Sequence, residues 1–304
     1  MPCFGPLRAW YSKDVNPETG KRPLVFRVDE SFSGIPVTIP CGRCSGCRLE
    51  RSRQWAMRCL HEKRMHKMSS FITLTYDDDH LPDGNTLVLS DLQNFMKRLR
   101  KITGDGLRFY ACGEYGEYTA RPHYHVLLLN YDFDDRKYYK LAKGGEKLYS
   151  SKTLDKVWSL DGKRLGLTVV GDVTFESCAY VARYIMKKRI GKDADTWYGH
   201  CPVTGVVRLP EFTCMSRRPG LGTAYFEKYG REVYTHDNVI VNGRPVRPPR
   251  FYDTKFEQLD AARLKKLKLE RRRAVDRADN TTSRLRVKEI ISDARLKLKG
   301  NGEL

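Results

Sequence analysis

The sequence predicts an α+β protein: a central antiparallel sheet flanked by helices, with a Cys-rich segment ahead of it and a basic helical tail behind it. Three observations lead there. Runs rich in β-branched and aromatic residues at 71–76 (FITLTY), 107–112, 123–130 and 167–170 read as strands. Between them apolar residues recur at helical spacing, without the regular βαβ alternation of a parallel sheet. The loop between the strands at 107–112 and 123–130 lets the second fold back beside the first, which makes the pair antiparallel.

In chain order, residues 1–69 hold Pro, Gly and three closely spaced cysteines. They show little periodicity over the first 40 positions beyond short extended stretches such as 24–28. They end in a basic helix from about Arg48, in which Trp55, Cys59 and Leu60 recur at near-helical spacing. Residues 70–190 form the core. The acidic turn DDDHLPDGN follows the first strand. Ser90 and Asp91 then cap a helix running through Leu92, Phe95, Met96 and Leu99. A short helix over 154–160, the strand at 167–170 and a helix over 175–188 complete this region. Residues 191–252 form an irregular extension rich in Pro, Gly and aromatics. Residues 253–304 read as a basic helical tail centred on LKKLKLERRR.

Composition narrows the partners. Fifty-six Lys and Arg against 37 Asp and Glu leave a net charge of +19. So much positive charge favours a polyanion, because neutralising phosphates releases condensed counterions. Nucleic acid is the first candidate and an anionic membrane surface the second. The sequence has no apolar run long enough to cross a bilayer, and its start, MPCFGPLRAW, lacks the apolar stretch of a signal peptide. These features predict a cytoplasmic protein without membrane attachment. Nine cysteines, an odd number, argue against a disulfide framework.

Two motifs carry chemistry. In Pro122-His123-Tyr124-His125 the histidines stand two apart on a strand and so project from one face. Seven histidines in a chain of this length yield such a pair by chance about one time in six, so its surroundings decide. Here the pair lies on a pronounced strand, and Glu114, at the end of the preceding one, returns beside it if the strands are neighbours. Two imidazoles and a carboxylate make a facial ligand set with open positions. Glu117, inside the loop, is the alternative third ligand. The second motif is AYVARYIMKK. Cys178, Ala179, Ala182 and Met186 form an apolar stripe, and Tyr180, Tyr184 and Lys187 stand at i, i+4 and i+7 beside it. A phenol can attack a phosphodiester and hold it covalently, and a nearby cation helps so weak a nucleophile.

Together these segments resemble the HUH endonucleases, in which a His-hydrophobic-His strand binds a divalent metal opposite a tyrosine-bearing helix. Tyr184-Ile-Met-Lys187 looks like that family's Y-x-x-K element, with Tyr180 as the second tyrosine of its two-tyrosine branch. The Cys41 cluster, FITLTYDDDHLP, GEYGEYTARPHYHVLL, YVARYIMKK, MSRRPGLG and RPPRFYD together resemble the replication initiators of small single-stranded DNA phages of the microvirus group, gokushovirus type. The resemblance covers roughly residues 40–253. It implies an HUH core in which His123, His125 and Glu114 hold a divalent ion such as Mg or Mn. It also implies that Tyr180 and Tyr184, aided by Lys187, nick and rejoin a single-stranded origin through a 5′-phosphotyrosyl link. The free 3′-OH would be extended by a host polymerase in the host cytoplasm. Because no P-loop pattern is present, unwinding would fall to a host helicase.

Cys41, Cys44 and Cys47 at x2 spacing can supply three thiolates to a structural zinc. Cys3 is the expected fourth ligand, with Cys59 and His61 as rivals, and an iron–sulfur cluster is the other thiolate chemistry. Arg43, Arg48, Arg51, Arg53, Arg217-Arg218 and residues 265–273 offer phosphate contacts. Trp197, Tyr198, Tyr225, Phe226 and Tyr229 are either base-stacking or core residues. The competing functions are a non-enzymatic, zinc-containing nucleic-acid-binding regulator, and an HUH transposase or relaxase.

Overall fold

The computed structural model describes residues 3–116, 119–142, 144–187, 192–199 and 205–298, apart from the side chains of 184–187, 192, 193 and 195. The chain divides into two compact units, the described parts of Met1–Arg51 with Leu269–Glu303, and Ser52–Lys268. In the first, strand β1 (Leu7–Tyr11) lies between β2 (Leu24–Val25) and β3 (Val37–Ile39), antiparallel to both. Helix α1 (Ser45–Lys63) starts in this unit, and its residues from Ser52 onward belong to the second.

The second unit is built on a seven-stranded sheet. Its strands are β4 (Ser69–Thr75), β5 (Arg108–Tyr115), β6 (Pro122–Leu129), β7 (Lys137–Leu141) and β8 (Lys147–Ser150). After a small β9–β10 ribbon (Ser159–Leu160 and Lys163–Arg164) come β11 (Thr168–Gly171) and β12 (Phe212–Met215). The order is β12-β5-β6-β4-β11-β8-β7 and every neighbouring pair is antiparallel. The mixed α+β class expected from the sequence is therefore observed. The helices of this unit are α2 (Leu89–Thr103), α3 (Lys152–Val157), α4 (Phe175–Lys187), α5 (Lys192–Tyr198), α6 (Thr223–His236), α7 (Arg250–Leu259) and α8 (Ala261–Arg273). The chain ends its described course with α9 (Thr282–Leu298) in the first unit. No helix among the described residues is long and apolar enough to cross a membrane.

Strand periodicity sorts the side chains onto two faces. On one, Ile72, Leu74, Tyr124, Val126 and Leu128 pack against Leu92, Phe95 and Leu99 of α2 and against Leu154 and Trp158. On the other, Tyr110, Cys112, Leu127 and Leu129 pack against Ala56 and Cys59 of α1 and Cys178, Val181 and Ala182 of α4. His123 and His125 share the parity of Leu127 and Leu129, so the histidine pair belongs to this second face.

Three elements differ from the sequence reading. The short helix expected over 154–160 ends at Val157. Ser151 caps its start by accepting the Leu154 N–H at 3.0 Å, and Trp158 leaves helical geometry to enter β9. The apolar stripe of α4 runs through Cys178, Val181 and Ala182, with Ala179 only half-buried and Met186 outside the described side chains. Residues 191–252 are far from irregular. They contribute β12, which pairs with β5, the β13–β14 hairpin (Val239–Val241 and Arg244–Val246), and α6, whose Phe226, Val233 and Tyr234 are buried with Tyr252 and Phe256. Gly230 hides the helical pattern of α6. A Cβ there would stand 2.8 Å from the Phe226 ring, so its smallness is what lets that ring pack.

Candidate active site

Strand register builds the site. Glu114 of β5 lies directly across from His123 of β6, and Cys112 lies across from His125. On the other flank, Thr73 and Thr75 of β4 face His125 and His123. The turn that closes β5 onto β6 is tied by Gly116 N–H donating to Arg121 O and Ala120 N–H donating to Gly116 O, each at 2.9 Å. Glu114 Oε1 thereby reaches His123 Nε2 at 2.6 Å and His125 Nε2 at 3.0 Å. The side chain of Glu114 is only 2% exposed and that of His125 7%, whereas His123 opens to 18%, so the group is reached from the His123 side.

The ring nitrogens turned away from Glu114 are also engaged. His123 Nδ1 donates to the Arg121 carbonyl at 3.2 Å, and His125 Nδ1 is hydrogen-bonded to Thr73 Oγ1 at 3.0 Å. A carbonyl only accepts, so the His123 tautomer is fixed and its Nε2 faces the carboxylate. Burial alone would raise the Glu114 carboxyl. Hydrogen bonds and charge from His123 and His125 outweigh it and hold the group at about 2. An ionised oxygen this close to two imidazoles calls for positive charge between them, whether protons or a cation. Two ligand atoms each about 2.1 Å from one ion at right angles stand about 3 Å apart, close to these spacings. The donor set therefore fits a divalent ion with positions left open. Glu117, the rival ligand, lies outside the described residues.

Helix α4 begins with a reciprocal cap. Thr174 N–H donates to Ser177 Oγ at 2.8 Å and Ser177 N–H donates to Thr174 Oγ1 at 3.1 Å. Its buried stripe then sets Tyr180 at the rim. The half-buried Tyr180 ring meets His125 edge-on, centroids 5.3 Å apart, and meets Phe71 in the same way at 6.4 Å. Phe71 in turn stacks on His125 at 5.5 Å. Tyr184 lies one turn farther along α4 and Lys187 is its last residue. The side chains of both fall outside the described ones. Between the histidines, Tyr124 turns to the opposite face. There its buried hydroxyl meets Tyr76 Oη at 2.9 Å, accepts from Val88 N–H at 2.9 Å and donates to Val88 O at 2.8 Å.

Among the described residues, one other group of ligand atoms converges: Cys3, Cys41, Cys44 and Cys47. Cys3, the expected fourth member, is in it, and the rivals are used elsewhere. Cys59 is buried beside Tyr110 and Cys178, and His61 is sandwiched against Tyr225 with its Nδ1 2.9 Å from Tyr252 Oη. Of the aromatics considered for base stacking, Tyr198 and Phe226 are core residues. Tyr225 stacks on His61 and meets Tyr229 at a tilt, and Trp197 packs partly buried against the core. Arg217 and Arg218 are exposed. The sequence reading missed Thr73, Phe71 and Arg121, whose contacts hold the histidines. The strand pattern at 71–76 was the available signal, but not its register.

Residues 69–189, which include Glu114, both histidines and α4, match the family model described as replication-associated protein ORF2/G2P. Replication-associated protein VP4 of Bdellovibrio phage phiMH2K is 33% identical over 268 residues, covering 85% of this chain and 78% of that protein. The chain belongs to the phage replication-associated protein family. Replication-associated protein ORF2 of Spiroplasma virus 4 is 29% identical over 278 residues, covering 85% of this chain and 81% of its own. ORF4 of Chlamydia phage 1 is 30% identical over 230 residues, 73% of this chain and 54% of that protein. No solved structure matches this replication-associated protein. Its cysteine group lies outside the segment that the family model covers.

Proposed function

We propose that this replication-associated protein is an HUH-type, metal-dependent tyrosine endonuclease that nicks and rejoins single-stranded DNA at a phage origin. The observation that carries the reading is the approach of Glu114 Oε1 to both histidine Nε2 atoms, 2.6 and 3.0 Å, with the Tyr180 ring against His125. Glu114, His123 and His125 would hold a divalent ion, Mg or Mn, whose contribution when bound is Lewis-acid polarisation of a phosphate oxygen. Arg121 O and Thr73 keep the imidazoles aimed. Oη of Tyr180 or Tyr184 attacks phosphorus, losing its proton as the P–O3′ bond breaks. The departing 3′ oxygen takes up a proton. This leaves a 5′-phosphotyrosine and a free 3′-OH.

Lys187 is assigned to stabilising the phenolate. After a round of extension by a host polymerase, with unwinding by a host helicase, the other tyrosine would cut the regenerated origin. The 3′-OH freed by that second cut then attacks the first phosphotyrosine, closing a circle and restoring the phenol of the first tyrosine. The net charge of +19 suits a single-stranded DNA partner in the bacterial cytoplasm. The test uses single strands tiled across the encoding phage genome, labelled at either end, with Mg or Mn on denaturing gels. One strand should yield a 5′ fragment that a polymerase extends and a 3′ fragment that migrates with the protein, its adduct mapping to Tyr180 or Tyr184. Tight binding of every strand without cleavage would sink the reading and leave the non-enzymatic regulator.

A further inference from the structure

We propose that Cys3, Cys41, Cys44 and Cys47 bind one zinc ion, and that this ion folds the amino-terminal segment. The four sulfurs lie within 4.8 Å of one another, and those of Cys3 and Cys44 are 4.0 Å apart. In a tetrahedral site with Zn–S of about 2.3 Å, sulfurs stand about 3.8 Å apart. A disulfide would need about 2 Å, and all four cysteines are free. A multi-iron cluster sits between its thiolates and spreads them farther than a single ion does.

The backbone is arranged for thiolates rather than thiols. Phe4 N–H donates to Cys44 Sγ at 3.4 Å, Cys41 N–H to Cys3 Sγ at 3.3 Å and Cys44 N–H to Cys41 Sγ at 3.4 Å. Cys47 is the third residue of α1, where the positive end of the helix dipole favours negative charge.

The need for the ion follows from what the segment lacks. Within residues 3–51 the buried apolar side chains are Cys3 and Ala9, while Leu7, Tyr11, Phe26, Phe32 and Ile35 are exposed. Segments this small without a core are usually held by metals or disulfides, and their folding is coupled to the metal. Cys3 comes from the start of the chain and the other three from the entry to α1. One ion between them closes a loop around β1, β2 and β3.

Metal analysis of the full chain tests this. The His123→Ala/His125→Ala variant removes the other ligand group, so the result does not depend on the nuclease reading. It should retain one zinc per chain. Adding Cys44→Ser and Cys47→Ser should bring zinc to none. Because those substitutions could disturb folding on their own, the cysteine-intact chain loaded with cobalt provides a second readout, the intense visible bands of a tetrahedral tetrathiolate. Chelation of the cysteine-intact chain should raise proteolysis within residues 3–51 about tenfold or more, as expected of a metal-folded segment. The proposal is overturned by bound iron, by a histidine variant without metal, or by stoichiometric zinc that survives loss of both cysteines. Protease resistance of residues 3–51 unchanged after metal removal would equally overturn it.

Discussion

Thr73 offers a sharp test of how the histidine pair is held. Its hydroxyl is 3.0 Å from His125 Nδ1, and β4 faces β6 so that the two residues are direct cross-strand partners. Thr73→Val keeps the β-branched shape of a half-buried strand residue and removes only this hydrogen bond. Fold stability should fall by about 1 kcal/mol, the usual net worth of such a bond. The effect on metal use should be larger. A group that orients a histidine ligand typically contributes 10–100-fold in metal affinity or activity, or about 1.4–2.7 kcal/mol. The assay is nicking rate as a function of Mn concentration. Thr73→Val should shift the half-saturating concentration up by about 10–100-fold, with much of the maximal rate recovered at saturation. Thr73→Ser, which keeps the hydroxyl, should stay near the parent. An unchanged metal dependence in Thr73→Val, with the fold intact, would refute the idea that this contact aims His125.

Other expectations follow from the same geometry. Tyr180→Phe with Tyr184→Phe should abolish the covalent DNA adduct while leaving the melting temperature nearly unchanged. Adduct formation by the double variant, seen on denaturing gels, would remove both tyrosines from the chemistry. His125→Ala should lose metal-dependent cleavage yet bind single strands with the parent's salt dependence, because the substitution leaves the chain's net charge of +19 in place to attract phosphates. His61 gives a pH prediction. Burial, helped by Arg64, lowers its pKa to about 3, against about 6.5 in the unfolded chain. Below 6.5 the unfolded state takes up a proton that the folded state refuses, so stability is lost as pH falls, by about 2 kcal/mol between 6.5 and 4.5. Urea midpoints against pH should show this acid limb, and His61→Gln should flatten it.

How much of this was legible beforehand differs by element for physical reasons. The pairing of Glu114 with His123 and His125 could be read because a short loop and the two-residue period fix which side chains meet across a hairpin. Thr73 could not, since β4 and β6 are separated by α2 and β5 and their register follows from packing rather than from a local turn. Cys3, 38 residues from Cys41, was one of three candidates for the fourth place beside the other cysteines, and only the fold shows that its sulfur joins theirs. The face of α4 was misread by one position because Ala179 and Val181 are both apolar, and only the sheet decides which is buried. Helix α6 was missed because Gly230 interrupts its pattern, although its smallness admits the Phe226 ring. Tyr198 and Phe226 illustrate the converse. Aromatic residues in a basic chain suggest bases to stack on, but the core claimed both.

The position of Tyr180 is a consequence of the same parity that unites the histidines. On β6, Leu127 and Leu129 point to the face that carries His123 and His125, and on β5 Tyr110 and Cys112 share a face with Glu114. Each strand is thus apolar at one end of that face and polar at the other, the four steps from Leu127 to His123 spanning about 13 Å. Helix α4 can bury Cys178, Val181 and Ala182 only over the apolar end. Its next side chain toward the polar end is Tyr180, which rests on Phe71 and His125. A one-residue slip of β6 would turn both imidazoles into the opposite core and bring Val126 and Leu128 over α4 in place of Leu127 and Leu129, so the polar half of this face, more than its apolar half, depends on the register. The backbone positions of Tyr180 and Tyr184 differ by about 6 Å along the helix axis. On the proposed mechanism, exchange of nucleophile therefore asks for a shift of the DNA by about a nucleotide's length rather than a rebuilding of the protein, which a rigid sheet with one docked helix can support.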